Sequence, residues 1–179
     1  MEAPQNVLTI SVMHYINSII YHFIQTAKID FTDLEWEKKT YSPFNAYQRS
    51  KLANILFTKE LDRRLKEAKI NDVSIYVLHP GVIATEITRN LDTLYFNGIT
   101  CMFHSIARFF IKTPLQGSQT TIYCAIDEKI GKQSGLYYSD CKPAKPFRGA
   151  ENMDTAKKLW EVSWELVKLT DYNPFILLS

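Results

Sequence analysis

Glycine is scarce in this chain, and its scarcity excludes one arrangement. The 179 residues contain six glycines, of which the first is Gly81. A dinucleotide-binding sheet normally opens with a glycine-rich turn, where backbone amides and a helix N-terminus approach the pyrophosphate of the cofactor. Residues 1–80 cannot supply such a turn. They therefore do not contain the phosphate-binding half of a complete dinucleotide-binding domain.

Cysteine is also scarce, and neither sign of charge predominates. The three cysteines, Cys101, Cys124 and Cys141, are widely spaced and odd in number, so neither a disulfide framework nor a metal site is expected. Reduced thiols predict a cytosol-facing protein. The net charge is +2 with both signs interspersed, which leaves no basic stripe for nucleic acid. The length suits one domain.

Tyr47 and Lys51 are the candidate catalytic residues. They lie four positions apart in a segment where Pro43 and Asn45 signal the start of a helix. Four residues advance a helix by slightly more than one turn, so both side chains leave the same face. A nearby ammonium stabilises a phenolate and lowers the pKa of the phenol from its usual value of about 10. Such a pair can exchange a proton with a carbonyl or an alcohol while a cofactor carries the hydride.

Residues 1–27 fit more than one structure. The segment 7–12 alternates like a strand that ends near Ser11. Over residues 7–24, polar side chains also recur every three or four positions, which predicts an amphipathic helix against the core or a membrane surface. The same uncharged run is marginal as a membrane span because polar side chains interrupt it. We favour the helix, then the strand, then the span.

Residues 28–179 have the pattern of an α/β domain. The predicted elements are a loop or short helix at 29–41, a helix at 43–68 with a solvated face at 59–66, a strand at 73–78 that is buried on both faces, a helix at 114–126, a short final strand at 135–138 and a last helix at 152–169. Helices and strands alternate in this order, as in a parallel sheet covered by helices.

Several short motifs accompany these elements. They are Lys28-Ile29-Asp30-Phe31, Asp33-Leu34, Trp36, Lys51-Leu52-Ala53-Asn54, His79-Pro80-Gly81-Val82, Ser139-Asp140-Cys141 and Leu159-Trp160 with Ser163. As a set they resemble the short-chain dehydrogenase/reductase family, and most closely its retinol dehydrogenase branch. The resemblance extends from about residue 28 to about residue 168. It implies the C-terminal part of a Rossmann-like, doubly wound parallel sheet, which is incomplete in this chain.

The resemblance implies a role for each candidate site residue. Tyr47 would be the general acid/base, and Lys51 would lower its pKa and bind the nicotinamide ribose. The remaining contacts to the cofactor would come from the loop after the strand, namely from Pro80 and Gly81, which turn the chain, from the backbone of Ile83 and from the hydroxyl of Thr85. No metal is expected.

Two other parts of the family pattern are harder to locate. The family places a serine at the end of the strand that precedes the tyrosine helix, and Ser11 and Ser18 are both candidates although neither has the family's spacing to Tyr47. Residues 86–112 match the family's substrate lid. Their apolar composition would suit a long hydrophobic alcohol, and it is equally typical of a core or of a helix at a membrane surface.

Two functions follow as hypotheses. The resemblance implies an oxidoreductase that interconverts a hydrophobic, retinol-like alcohol and its aldehyde with NADP, with NAD as the other choice. It also implies association with a membrane surface such as the endoplasmic reticulum, and homodimers. The absent glycine-rich turn favours the alternative of a truncated, non-catalytic chain that acts through protein association.

Overall fold

The chain forms a small mixed sheet between helices. The structure is a computed structural model, and it describes residues 6–11, 27–81, 83, 112–169, 173 and 175. The elements are β1 (Asn6–Ser11), α1 (Pro43–Glu67), β2 (Val73–His79), α2 (Pro114–Ile126), β3 (Tyr137–Ser139), β4 (Lys142–Pro143) and α3 (Met153–Leu166), with 3-10 helices at Glu128–Ile130 and Arg148–Glu151.

The sheet has the strand order β1-β2-β3-β4. β1 and β3 both pair with β2 in parallel, with Ser11 opposite Leu78 and Tyr137 opposite Val77. β4 returns from β3 as an antiparallel hairpin. The predicted α/β class, an incomplete parallel sheet of the doubly wound type, is therefore confirmed, with one short antiparallel strand added at its edge.

Helices cover both faces of β2, as its apolar sequence predicted. On one face, Val77 packs with Leu52 and Leu56 of α1. On the other face, Leu78 packs with Cys124 of α2. Because successive residues of a strand point to opposite faces, a strand between two helical layers is apolar at most of its positions.

Side-chain caps set the starts of both central helices. The Ser42 hydroxyl accepts a hydrogen bond from the backbone N–H of Asn45, and Pro43 follows at the first helical position. Thr113 and Gln116 form a reciprocal capping box at the start of α2. These caps satisfy amides that have no partner within the helix, which explains why the predicted starts at residues 43 and 114 are confirmed.

The preference for a helix over residues 7–24 was wrong for the part that the structure describes. Residues 6–11 form strand β1 and not a helix, because their backbone completes the ladder along β2. The rest of the stretch, residues 12–26, lies outside the described residues. In the part of the chain that is described, no helix combines the length and the apolar character needed to cross a membrane.

Three smaller predictions also need correction. The strand at residues 137–139 is not the final one, because β4 follows it. The face at residues 59–66 is not wholly solvated, because the Glu60 side chain is buried there. The last helix is shorter than the predicted 152–169, because α3 ends at Leu166 and Val167 beyond it is exposed.

Candidate functional site

The orientation of α1 brings the Tyr47 segment toward the carboxyl edge of the sheet. Leu65, near the end of α1, packs with Ile75 near the start of β2. Leu52, nearer the start of α1, packs with Val77 farther along β2. The helix therefore runs antiparallel to the strand, and Tyr47 lies on the side where β1 and β2 end. Ligands of parallel α/β sheets bind at this edge.

Tyr47 and Lys51 leave α1 on one side, as their spacing predicted. The Lys51 ammonium lies 5.2 Å from the centroid of the Tyr47 ring, which is within the range of a cation–π contact. Lys51 is half-buried, and this burial lowers the pKa of its ammonium. Among the described residues, no carboxylate forms an ion pair with Lys51. A cation held beside a phenol in this way is available to stabilise negative charge on the phenol oxygen.

The loop after β2 needs glycine at position 81 because of its backbone conformation. Gly81 has a φ of +89°, which residues with a side chain rarely adopt. A Cβ at this position would lie 2.7 Å from the Cδ of Lys112. Pro80 before it is buried. The positive φ of Gly81 agrees with the predicted turn, and the aliphatic part of Lys112 lies over this glycine.

Lys112 ties this loop to the end of β3. Its ammonium donates a hydrogen bond to the carboxylate of Asp140, and its backbone forms a parallel bridge with Ile83. The hydrogen bond from Lys112 holds the pKa of the Asp140 carboxyl below its usual value. The ion pair thus joins the loops that follow β2 and β3.

The first turns of α2 pack against the same loop. A Cβ on Gly117 would lie 2.3 Å from the Cδ1 atom of Ile83, so a larger residue at position 117 would force the Ile83 side chain to shift. Ile83 is thereby held between α2 and the Lys112 bridge. The predicted role of its backbone toward a carboxamide stays a prediction.

The structure describes only some of the other predicted site residues. The backbone of Ser11 lies at the end of β1, opposite Leu78 and at the same edge as Pro80. Thr85 and Ser18 lie outside the described residues, as does the predicted lid apart from Lys112. Cys124 is a free, buried thiol, and burial raises its pKa to about 11, which keeps it protonated near neutral pH.

Asp140 and Gly117 had no predicted role, and Lys112 was expected only as the end of the lid or of a helix at a membrane surface. Asp140 was part of a recognised motif, and a glycine four residues after the cap Thr113 is unusual inside a helix. These were the available signals. The pairing of Lys112 with Asp140 across 28 positions had none, because it depends on how two strand ends meet.

No family model matches the chain. Curated proteins of known name do match the chain. The chain is 43% identical over 150 residues to Retinol dehydrogenase 12 of Mus musculus, a match that covers 84% of this chain and 44% of that protein. It is 37% identical over 168 residues to Retinol dehydrogenase 11 of Homo sapiens, covering 93% and 46%, and 36% identical over 167 residues to Retinol dehydrogenase 14 of Homo sapiens, covering 93% and 45%.

The fold has a counterpart among solved structures. A crystal structure of an uncharacterized protein from Mycobacterium paratuberculosis superimposes with a TM-score of 0.60, covering 91% of this chain and 51% of that one at 24% identity. This likeness supports the fold alone. The chain spans a little under half the length of the three curated relatives described above. Over the matched residues, the chain belongs to the retinol dehydrogenase branch of the short-chain dehydrogenase/reductase family, as its motifs predicted.

Proposed function

We propose that the protein is an oxidoreductase that interconverts a hydrophobic, retinol-like alcohol and its aldehyde with a nicotinamide cofactor. The observation that supports this most directly is the Lys51 ammonium beside the Tyr47 ring, on a helix whose first turns lie toward the carboxyl edge of the sheet. The names of the curated relatives support the substrate class.

In this proposal, the proton moves through Tyr47. During reduction of an aldehyde, the Tyr47 hydroxyl donates its proton to the carbonyl oxygen, and the Lys51 ammonium stabilises the phenolate that remains. During oxidation of an alcohol, the phenolate takes the hydroxyl proton. The hydride is supplied or accepted by a bound nicotinamide. Burial of Lys51 strengthens its effect, because charges interact more strongly where water is excluded.

The residues present fit the nicotinamide end of such a cofactor. Lys51 would bind the ribose, and Pro80, Gly81, Ile83 and Thr85 would contact the nicotinamide. Because Gly81 has no Cβ, another group can approach its backbone closely. The flexible Lys112 side chain does so, in the space that a Cβ would take. We propose NADP as the cofactor, with NAD as the alternative. We extend the proposal to homodimers and to association with an intracellular membrane surface such as the endoplasmic reticulum.

The first test replaces the phenol hydroxyl. With all-trans-retinal and NADPH, Tyr47→Phe should lower turnover at least about 100-fold, because the proton donor is lost while the ring remains. Tyr41→Phe is the matched control, since Tyr41 is exposed and precedes α1. Unchanged turnover in Tyr47→Phe would refute the assignment. A folded wild-type chain without turnover would instead favour the non-catalytic chain that acts through protein association.

The second test asks which part of the cofactor is held. The fluorescence of NADPH and of reduced nicotinamide mononucleotide is titrated with the 179-residue chain. Since the fitting residues all belong to the nicotinamide end, the two affinities should agree within about tenfold, and both dissociation constants should exceed about 1 μM. Much tighter binding of NADPH would show that other residues of this chain bind the adenosine and phosphates.

A further inference from the structure

Lys112 connects the loop after β2 to the turn after β3. Its backbone forms the parallel bridge with Ile83. Its side chain passes over Gly81, where the Cδ, Cε and Nζ atoms lie 2.7, 2.8 and 3.0 Å from the place that a Cβ would take. The same side chain ends on the carboxylate of Asp140. One lysine therefore spans the loop and is bonded on its far side.

Asp140 belongs to a turn that is itself attached to α2. The turn has two residues, because Ser139 pairs with Lys142 on either side of it. Both turn residues have a left-handed backbone, with φ of 52° at Asp140 and 56° at Cys141, as a tight two-residue hairpin requires. The backbone N–H of Cys141 donates to the Thr120 hydroxyl of α2 at 3.4 Å. A side chain bonded to Asp140 is therefore linked to both β3 and α2.

The ion pair keeps the lysine side chain in its place over Gly81. A lysine side chain loses much rotamer freedom when it is held in one arrangement, so it needs a compensating interaction. Among the described residues, that interaction is the pair with Asp140. The two side chains are 29% and 58% exposed, so water weakens their attraction and its loss should have a modest effect.

The loop after β2 depends on such restraints from its surroundings. Glycine has more backbone freedom than any other residue, so Gly81 by itself does not fix the course of the chain. Ile83 is restrained from one side, because its side chain packs closely against Gly117 of α2. Lys112 restrains Gly81 from another. Groups that bind a ligand do so best when they are held in the bound arrangement beforehand, because less freedom is lost on binding.

We propose that Lys112 is a positioning residue of the candidate cofactor site, with Asp140 as its anchor. This inference rests on the proposed function, because it concerns the binding of the nicotinamide by the same loop. The ion pair holds the lysine across Gly81, and the lysine keeps the backbone of the loop in the arrangement that binds the nicotinamide. Both side chains act through this backbone and not on the reacting atoms.

The first test measures cofactor affinity. Lys112→Met keeps most of the aliphatic chain and removes the ammonium, and Asp140→Asn removes the negative charge. Each should weaken the binding of reduced nicotinamide mononucleotide, measured by fluorescence, about fivefold. The double variant should lose no more than either single one, because the second substitution removes an interaction that is already lost. Lys112→Arg keeps the charge and should bind within about twofold of the wild type.

The matched control breaks another ion pair. Lys39→Met removes the partner of Asp30, with which Lys39 pairs at 2.5 Å in the segment before α1, and it should bind like the wild type. In retinal reduction, Lys112→Met should raise the KM for NADPH about fivefold and change kcat less than about twofold, since Tyr47 keeps its proton. An equal loss of affinity in Lys39→Met, or a loss of kcat without a change in KM, would overturn the positioning role.

The second test needs no cofactor. Amide hydrogen exchange, followed by NMR in the chain alone, should be faster at Gly81 and Ile83 in both Lys112→Met and Asp140→Asn, and unchanged at Ile75 in the middle of the core. Unchanged exchange at the loop in both variants would overturn the positioning by Lys112 and leave the proposed function standing. A wild-type chain that binds no reduced nicotinamide mononucleotide would instead refute the nicotinamide site itself, so the two failures can be told apart.

Discussion

Two charged residues, one in each half of α1, have opposite surroundings. In the first half, the ammonium of Lys51 is half-buried beside a phenol ring, and burial alone accounts for the lowering of its pKa. In the second half, Glu60 has a side chain with 0% exposure, and it accepts hydrogen bonds of 2.7–2.8 Å from Arg63 and Arg64. One helix therefore holds a half-buried charge without a carboxylate partner among the described residues and a buried charge that is fully paired.

The difference shows which half serves stability and which serves chemistry. A buried carboxylate without a partner would be strongly destabilising, so the two arginines make the burial of Glu60 tolerable. An ammonium that lacks a carboxylate has no such compensation, and its electrostatic effect is free to act on another group. Perturbed and unpaired charges are concentrated at functional sites, which agrees with the proposed role of Lys51.

The largest expected effect comes from removing the available charge. Lys51→Met should lower retinal reduction at least about 100-fold, because the phenolate of Tyr47 loses its stabilising cation and the ribose loses a donor. Thermal unfolding should change little, since the replaced ammonium has no ion pair among the described residues. Lys59→Met is the matched control: burial also lowers the pKa of Lys59, but this lysine lies on a different part of α1 and faces Glu151. If both variants lose activity equally, the contrast between the halves of α1 fails.

A smaller effect should follow when the paired charge is removed. Glu60→Gln should destabilise the fold by about 2 kcal/mol, because two arginines lose a buried carboxylate. Glu67→Gln is its control, since Glu67 bonds Arg63 from a largely exposed position and should contribute less than about 1 kcal/mol. The free energy of unfolding from urea denaturation measures both.

The ion pairs of Glu60 also predict that the stability of the fold depends on pH. The hydrogen bond from Arg63, aided by Arg64 and opposed by burial, holds the pKa of Glu60 below its ordinary value of 4.5. Its stabilising contribution is therefore complete above about pH 4.5 and is lost as the pH falls through the lowered value in the folded state. The wild type and Glu60→Gln should thus become more alike in stability at acidic pH. A constant difference down to pH values well below 4.5 would contradict the ion-pair explanation.

The sequence predicted most of the elements around the candidate site because their signals are local. The caps Ser42 and Thr113 and the apolar run of β2 lie within a few residues of the structure that they specify. The spacing of Tyr47 and Lys51 likewise sufficed to put both side chains on one side of α1, because helical geometry alone decides it. The family followed from motifs spread over the same segments.

Other features were decided only when distant segments met. Residues 6–11 carry a pattern that suits a helix or a strand, and pairing with β2 selected the strand. Glu60 is a polar residue on a helix, and nothing near it in the sequence indicates that its side chain is buried. Helical periodicity and capping act over a few residues, whereas burial and ion pairing depend on which surfaces the folded chain brings together.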